Sequence, residues 1–99
     1  MHTVAIALDE GFTDDHVVVR VDGDVVLDDE HVRTRTQTGH ARLLERRTAA
    51  ANCRVDVVLP DRGLRTTLRT SPAQAPNVRV SVYGDRLVAS ASDTPLFFA

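Results

Sequence analysis

The chain has 99 residues, enough for one domain and too few for two. An apolar share of 42% excludes a disordered chain, and a net charge of −2 speaks against a general nucleic-acid binder. A lone cysteine, Cys53, excludes an internal disulfide and fits a reducing, cytoplasmic setting.

The first apolar run, VAIAL, predicts a strand with Val4, Ile6 and Leu8 on one side. It lacks a basic start and acids follow it at once, so it does not read as a signal peptide. No run in the chain nears the roughly 20 apolar residues of a membrane helix. HVVVRV and DVVL come next, joined by Asp22-Gly23, a strong hairpin signal. A two-residue loop would set Arg20 opposite Val25 and mix the faces. A three-residue loop, Asp22 to Asp24, aligns Val17, Val19, Val21, Val25 and Leu27 and is the preferred register. HVRTRTQT alternates with almost no apolar payload. It predicts an edge strand, with Arg33 and Arg35 discouraging further pairing. GHARLLERRTAAAN is ambiguous. Its Ala, Leu, Arg and Glu favour a short helix near residues 41–51, while its place between β runs favours another strand.

CRVDVVLP-DRG-LRTTLRT predicts a hairpin whose loop runs from Pro60 to Gly63. Leu59 then faces Leu64, Val57 faces Thr66 and Val55 faces Leu68. Cys53 joins that inner face, where it acts as a small hydrophobe. Arg54, Asp56, Arg65 and Arg69 fall outside. The last hairpin, NVRVSVY and RLVASAS around Gly84-Asp85, pairs Tyr83 with Arg86. Val82, Val80 and Val78 then lie opposite Leu87, Ala89 and Ala91 on one face. Pro95 ends the strand, and Leu96, Phe97 and Phe98 follow. Turn signals at intervals near ten residues predict an all-β fold, an antiparallel β-sandwich of seven or eight strands in one domain, 1–99.

All 12 basic residues are Arg, which fits either GC-rich codon usage or a choice of Arg for bidentate anion contacts. Charge is uneven along the chain. Residues 1–30 sum to −8 and residues 31–99 to +6. Such a split marks either two binding surfaces or neighbouring strands that neutralise each other.

Chemistry-bearing candidates are few. Asp14, Asp15, Asp28 and Asp29 sit beside predicted turns at one end of the sandwich, where calcium could take carboxylate oxygens. Turn preference and solvation explain the same acids. The outward arginines could hold an anion or act as a solvated face. His2, His16, His31 and His40 match no zinc spacing. No catalytic or cofactor motif occurs, so an enzyme is not expected. Leu96, Phe97 and Phe98 either plug the core or dock onto a protein partner or a second copy, a homodimer being one outcome.

The succession of VRVDG, VDVVLPDRG and GDRLV hairpins resembles small bacterial β-sandwich modules of the transthyretin-like or immunoglobulin-like kind. The resemblance implies a sandwich and carries no residue-specific function. The expectation is a soluble, non-enzymatic binding or assembly module without a cofactor, its partner a protein rather than nucleic acid or a membrane. The alternative is a ligand-binding domain that holds a divalent cation at its acidic loops or an anion on its Arg-rich face.

Overall fold

The computed structural model describes residues 1–34 and 42–94. Among them are eight strands and no α-helix: β1 (His2–Leu8), β2 (Thr13–Val21), β3 (Asp24–Arg33), β4 (Arg42–Thr48), β5 (Cys53–Leu59), β6 (Leu64–Thr70), β7 (Asn77–Tyr83) and β8 (Arg86–Ser92). They form two four-stranded sheets, ordered β4-β1-β7-β8 and β3-β2-β5-β6. The sheets pack as a β-sandwich because each strand turns its apolar alternate residues to one side. Val4, Ile6, Val78 and Val80 of one sheet meet Val17, Val19, Val55 and Val57 of the other, all fully buried. Each contributes on the order of 1.5–3 kcal/mol through burial. At the sandwich's two sides, β3 lies beside β4 and β6 lies beside β8. No helix among the described residues is long and apolar enough to cross a membrane.

The last two hairpins form in the expected registers. Leu59 faces Leu64 and Val55 faces Leu68, while Val80 faces Ala89 and Val82 faces Leu87. A short 3-10 turn at Pro60–Arg62 closes the first of them, and Gly63 takes a left-handed φ of 66°.

Two expectations need correction, and one open choice is decided. Of the short helix and the strand left open near residues 41–51, the strand forms and the helix does not: the described part holds β4, paired antiparallel with β1 from Thr48 at His2 to Arg42 at Leu8. Pairing with a neighbour outweighs the helix preference of its residues. The β2–β3 hairpin turns on Asp22-Gly23 alone, so Arg20 does face Val25, and Val25 is exposed. A bulge after Val19 restores the faces by setting Val19 opposite Leu27, with Val26 as the extra residue. The three-residue loop was one way to absorb that extra residue, and the bulge is the other. His31, Val32 and Arg33 continue β3 rather than starting a separate strand, while residues 35–41 lie outside the described ones. One pairing also departs from the all-antiparallel scheme: β1 and β7 run parallel, with Ile6 at Val78. Alternation states which face is buried, not which way a partner runs.

Candidate functional site

The acidic residues of the first third are spread over separate ion pairs. Asp15 sits in a kink of β2, just after Asp14, whose φ is +71°. Arg62, from the turn between β5 and β6, grips it with both arms: Nε donates to Oδ1 at 2.7 Å and Nη2 to Oδ2 at 2.9 Å. The backbone N–H of Thr13 also donates to Oδ2 at 2.8 Å, so a carboxylate that is only 9% exposed is well satisfied. Asp14 meets His31 at 3.0 Å, Asp28 meets His16 at 2.6 Å, and Asp29 accepts from Arg42 at 2.9 Å. The four carboxylates singled out for calcium thus face four different partners. Among the described residues, no three His, Cys, Asp or Glu side chains converge to hold a metal ion. A cation at Asp15 would have to displace Arg62. Calcium binding stands as a proposal whose test is a calcium-specific rise in melting temperature.

His16 carries a pH consequence. The hydrogen bond to Asp28 raises its pKa above the ordinary 6.5 despite some desolvation, and the charges of Asp28, Asp61 and Glu30 add to the effect. A raised folded pKa means stability that is fully present below the unfolded value. It fades as pH rises through the folded value. The His16 imidazole is expected to titrate above 6.5 by NMR, and Asp28→Asn should bring the midpoint back towards 6.5. An unmoved midpoint would remove Asp28 as the cause.

The strands' outer faces hold the other candidates. On the β1-β7-β8 face, Asp9, Glu10, Arg79, Ser81, Tyr83, Val88 and Ser90 border an open hollow of about 330 Å³. Arg79 is not simply solvated there, since its Nη1 donates to Asp9 at 3.0 Å. Tyr83 and Val88 stand exposed beside it. On the other sheet, Arg20, Arg54, Arg65 and Arg69 point outward from β2, β5 and β6. Arg54 pairs with Asp56 at 3.1 Å, and Asp56 also accepts from Thr67. Cys53 lies beneath, and burial, reinforced by the Asp22 charge, pushes its thiol pKa up.

Sequence reading placed Arg54, Arg65 and Arg69 outward but did not single out Arg20, whose outward face already follows from the inward Val17, Val19 and Val21. It also missed Arg62 as the partner of Asp15, a contact 47 residues apart in the chain. Leu96, Phe97 and Phe98, the candidate interaction residues, lie outside the described residues, as does His40. Compared with known families, curated proteins and solved structures, the chain matches none.

Proposed function

We propose that this domain is a non-enzymatic assembly module that pairs with a second copy of itself along the edge of β8. The observation that carries this reading is the difference between the edges. β3 is bulged and acidic, and it is tied to β4 by Arg42–Asp29 and Arg46–Asp24, each at 2.9 Å. β4 itself shows Arg42, Glu45, Arg46 and Arg47, and β6 shows Arg65 and Arg69. Charges and bulges of this kind discourage edge-to-edge pairing. β8 has none after Arg86: its sequence continues Leu-Val-Ala-Ser-Ala-Ser, in unbroken register with β7 and without proline. Leu87, Ala89 and Ala91 are only partly buried against the core, and Val88 is exposed. Two β8 edges related by a two-fold axis, the commonest symmetry of homo-oligomers, would continue the sheet across both copies. In sequence, β8 is followed by Leu96, Phe97 and Phe98, three apolar side chains outside the described residues.

Light scattering across a concentration series tests the reading. The wild type is expected to be a dimer, and Val88→Lys a folded monomer. A wild type that stays monomeric at high concentration rejects the proposal. Deleting residues 95–99 separates two roles for the tail. A tail at the interface yields a folded monomer, whereas a tail that closes its own core yields a loss of melting temperature at every concentration.

A further inference from the structure

The outer face of β2, β5 and β6 carries more positive charge than its neighbours balance. Arg20, Arg54, Arg65 and Arg69 share it with one acid, Asp56, whose two oxygens are taken by Arg54 and Thr67. Among the described residues, Arg20, Arg65 and Arg69 have no ion pair or side-chain hydrogen bond. Arg54 and Arg69 are direct cross-strand partners, an arrangement that like charges disfavour when nothing lies between them. Next to this pair, where the Asp22 turn, the start of β5 and the end of β6 meet, lies an open hollow of about 300 Å³. Asp22, Asn52, Cys53, Arg54 and Arg69 line it.

The donors around it are unspent. Arg54 uses Nε on Asp56 and keeps its terminal nitrogens. Arg69 keeps its whole guanidinium, and the Asn52 amide makes no hydrogen bond among the described residues. Asp22 is the one acid on the rim, and its Oδ1 is turned to the backbone N–H of Arg54 at 2.8 Å. Two guanidinium forks and an amide around a hollow match the oxygens of a tetrahedral anion, which would also relieve the repulsion between the arginines. We infer that the Arg54–Arg69 pair, with Asn52, is a binding site for a phosphate-class oxyanion. The site is on the opposite sheet from β8 and does not rest on the assembly reading.

Pyrophosphate is the probe, followed through the backbone amide resonances of residues 52–54 and 69 at constant ionic strength with chloride as the control. The expected result is a saturable shift confined to this corner. Arg69→Gln should weaken it at least about tenfold, the loss of a charge-assisted fork, while Arg47→Gln on β4 leaves it unchanged. Circular dichroism confirms that each variant is folded. Arg69→Lys, which keeps the charge and loses the fork, should bind with intermediate strength. Vesicles containing phosphatidic acid form a second arm. Capture by vesicles that is lost in Arg69→Gln assigns the phosphate to a lipid headgroup, and saturation by pyrophosphate alone assigns it to a soluble source. Equal shifts with chloride, equal shifts in Arg69→Gln, or no binding in either arm would overturn the site.

Discussion

Val80→Asp is expected to leave the chain unfolded at ambient temperature, while Ser90→Asp leaves it folded. Val80 has no exposed surface and stands opposite Ala89 in the last hairpin, facing the other sheet. A carboxylate there has no cation within the core to meet it, since the surrounding cluster is Val, Leu, Ile, Phe and Cys. It must either be buried charged or take up a proton, and both outcomes add to the loss of the valine's own burial. The cost is about 4 kcal/mol or more, a large part of the stability of a domain this size. Ser90 lies on the opposite face of β8, exposed and opposite Arg79, so a carboxylate at that position stays wet. Thermal melts of the two variants check the register. Equal destabilisation would mean that the faces of β7 and β8 have been assigned the wrong way round.

How far such assignments can be made from sequence depends on whether the deciding contact is local. The β5–β6 and β7–β8 hairpins were legible because a turn signal and alternation on both flanks agree on one register. The β2–β3 hairpin had the same turn signal, but the bulge after Val19 let a two-residue turn and a continuous apolar face coexist. No local feature of Val25-Val26-Leu27 says which residue is the extra one. β4 was left open between strand and helix for another reason. Leu43, Leu44, Glu45 and Arg46 read equally well as helix, and what makes them a strand is pairing with β1, some forty residues earlier in the chain. Phe12 drew no attention because Gly11 and Thr13 flank it without alternation, yet it is only 2% exposed in the core.

The charge split was the most informative feature of the candidate sites, and its meaning was structural. Asp9, Asp15, Asp24 and Asp29 of the acidic first third pair with Arg79, Arg62, Arg46 and Arg42 of the basic remainder. These pairs join β3 to β4, the end of β1 at Asp9 to β7, and β2 to the turn before β6. Neutralisation between neighbouring elements thus accounts for four of the nine acids of the first third. Among the arginines that these pairs do not use, Arg54, Arg65 and Arg69 share one outer face with Arg20, and that clustering could not be recognised before the acids had been matched to their partners.

Gly11→Ala is the least tolerated small change expected on the surface of this protein. Gly11 is solvent-exposed by area, so sequence and burial alone would suggest a neutral site. Its backbone says otherwise. The chain leaves β1 through Asp9 and Glu10, which stay bonded to β7: Asp9 N–H donates to the carbonyl of Val80 at 2.7 Å and Val82 N–H donates to that of Glu10 at 2.8 Å. Gly11 then turns away at φ +87° so that Phe12 enters the core. A Cβ on Gly11 would lie 2.0 Å from the carbonyl oxygen of Val82 and 2.8 Å from its carbon. Backbone of a central strand cannot swing aside as a surface side chain does. Alanine therefore suffers the left-handed backbone cost of about 1–2 kcal/mol and, in addition, strain of about 1–3 kcal/mol from pushing β1 and β7 apart. A total near 3 kcal/mol corresponds to a drop in melting temperature on the order of 15 °C. Gly23, also at positive φ but with nothing within 4 Å of its would-be Cβ, is the control. Gly23→Ala should show only the backbone cost, roughly half the loss. If the two alanine variants melt together, the close approach of Gly11 to Val82 is not what holds the end of β1 in place.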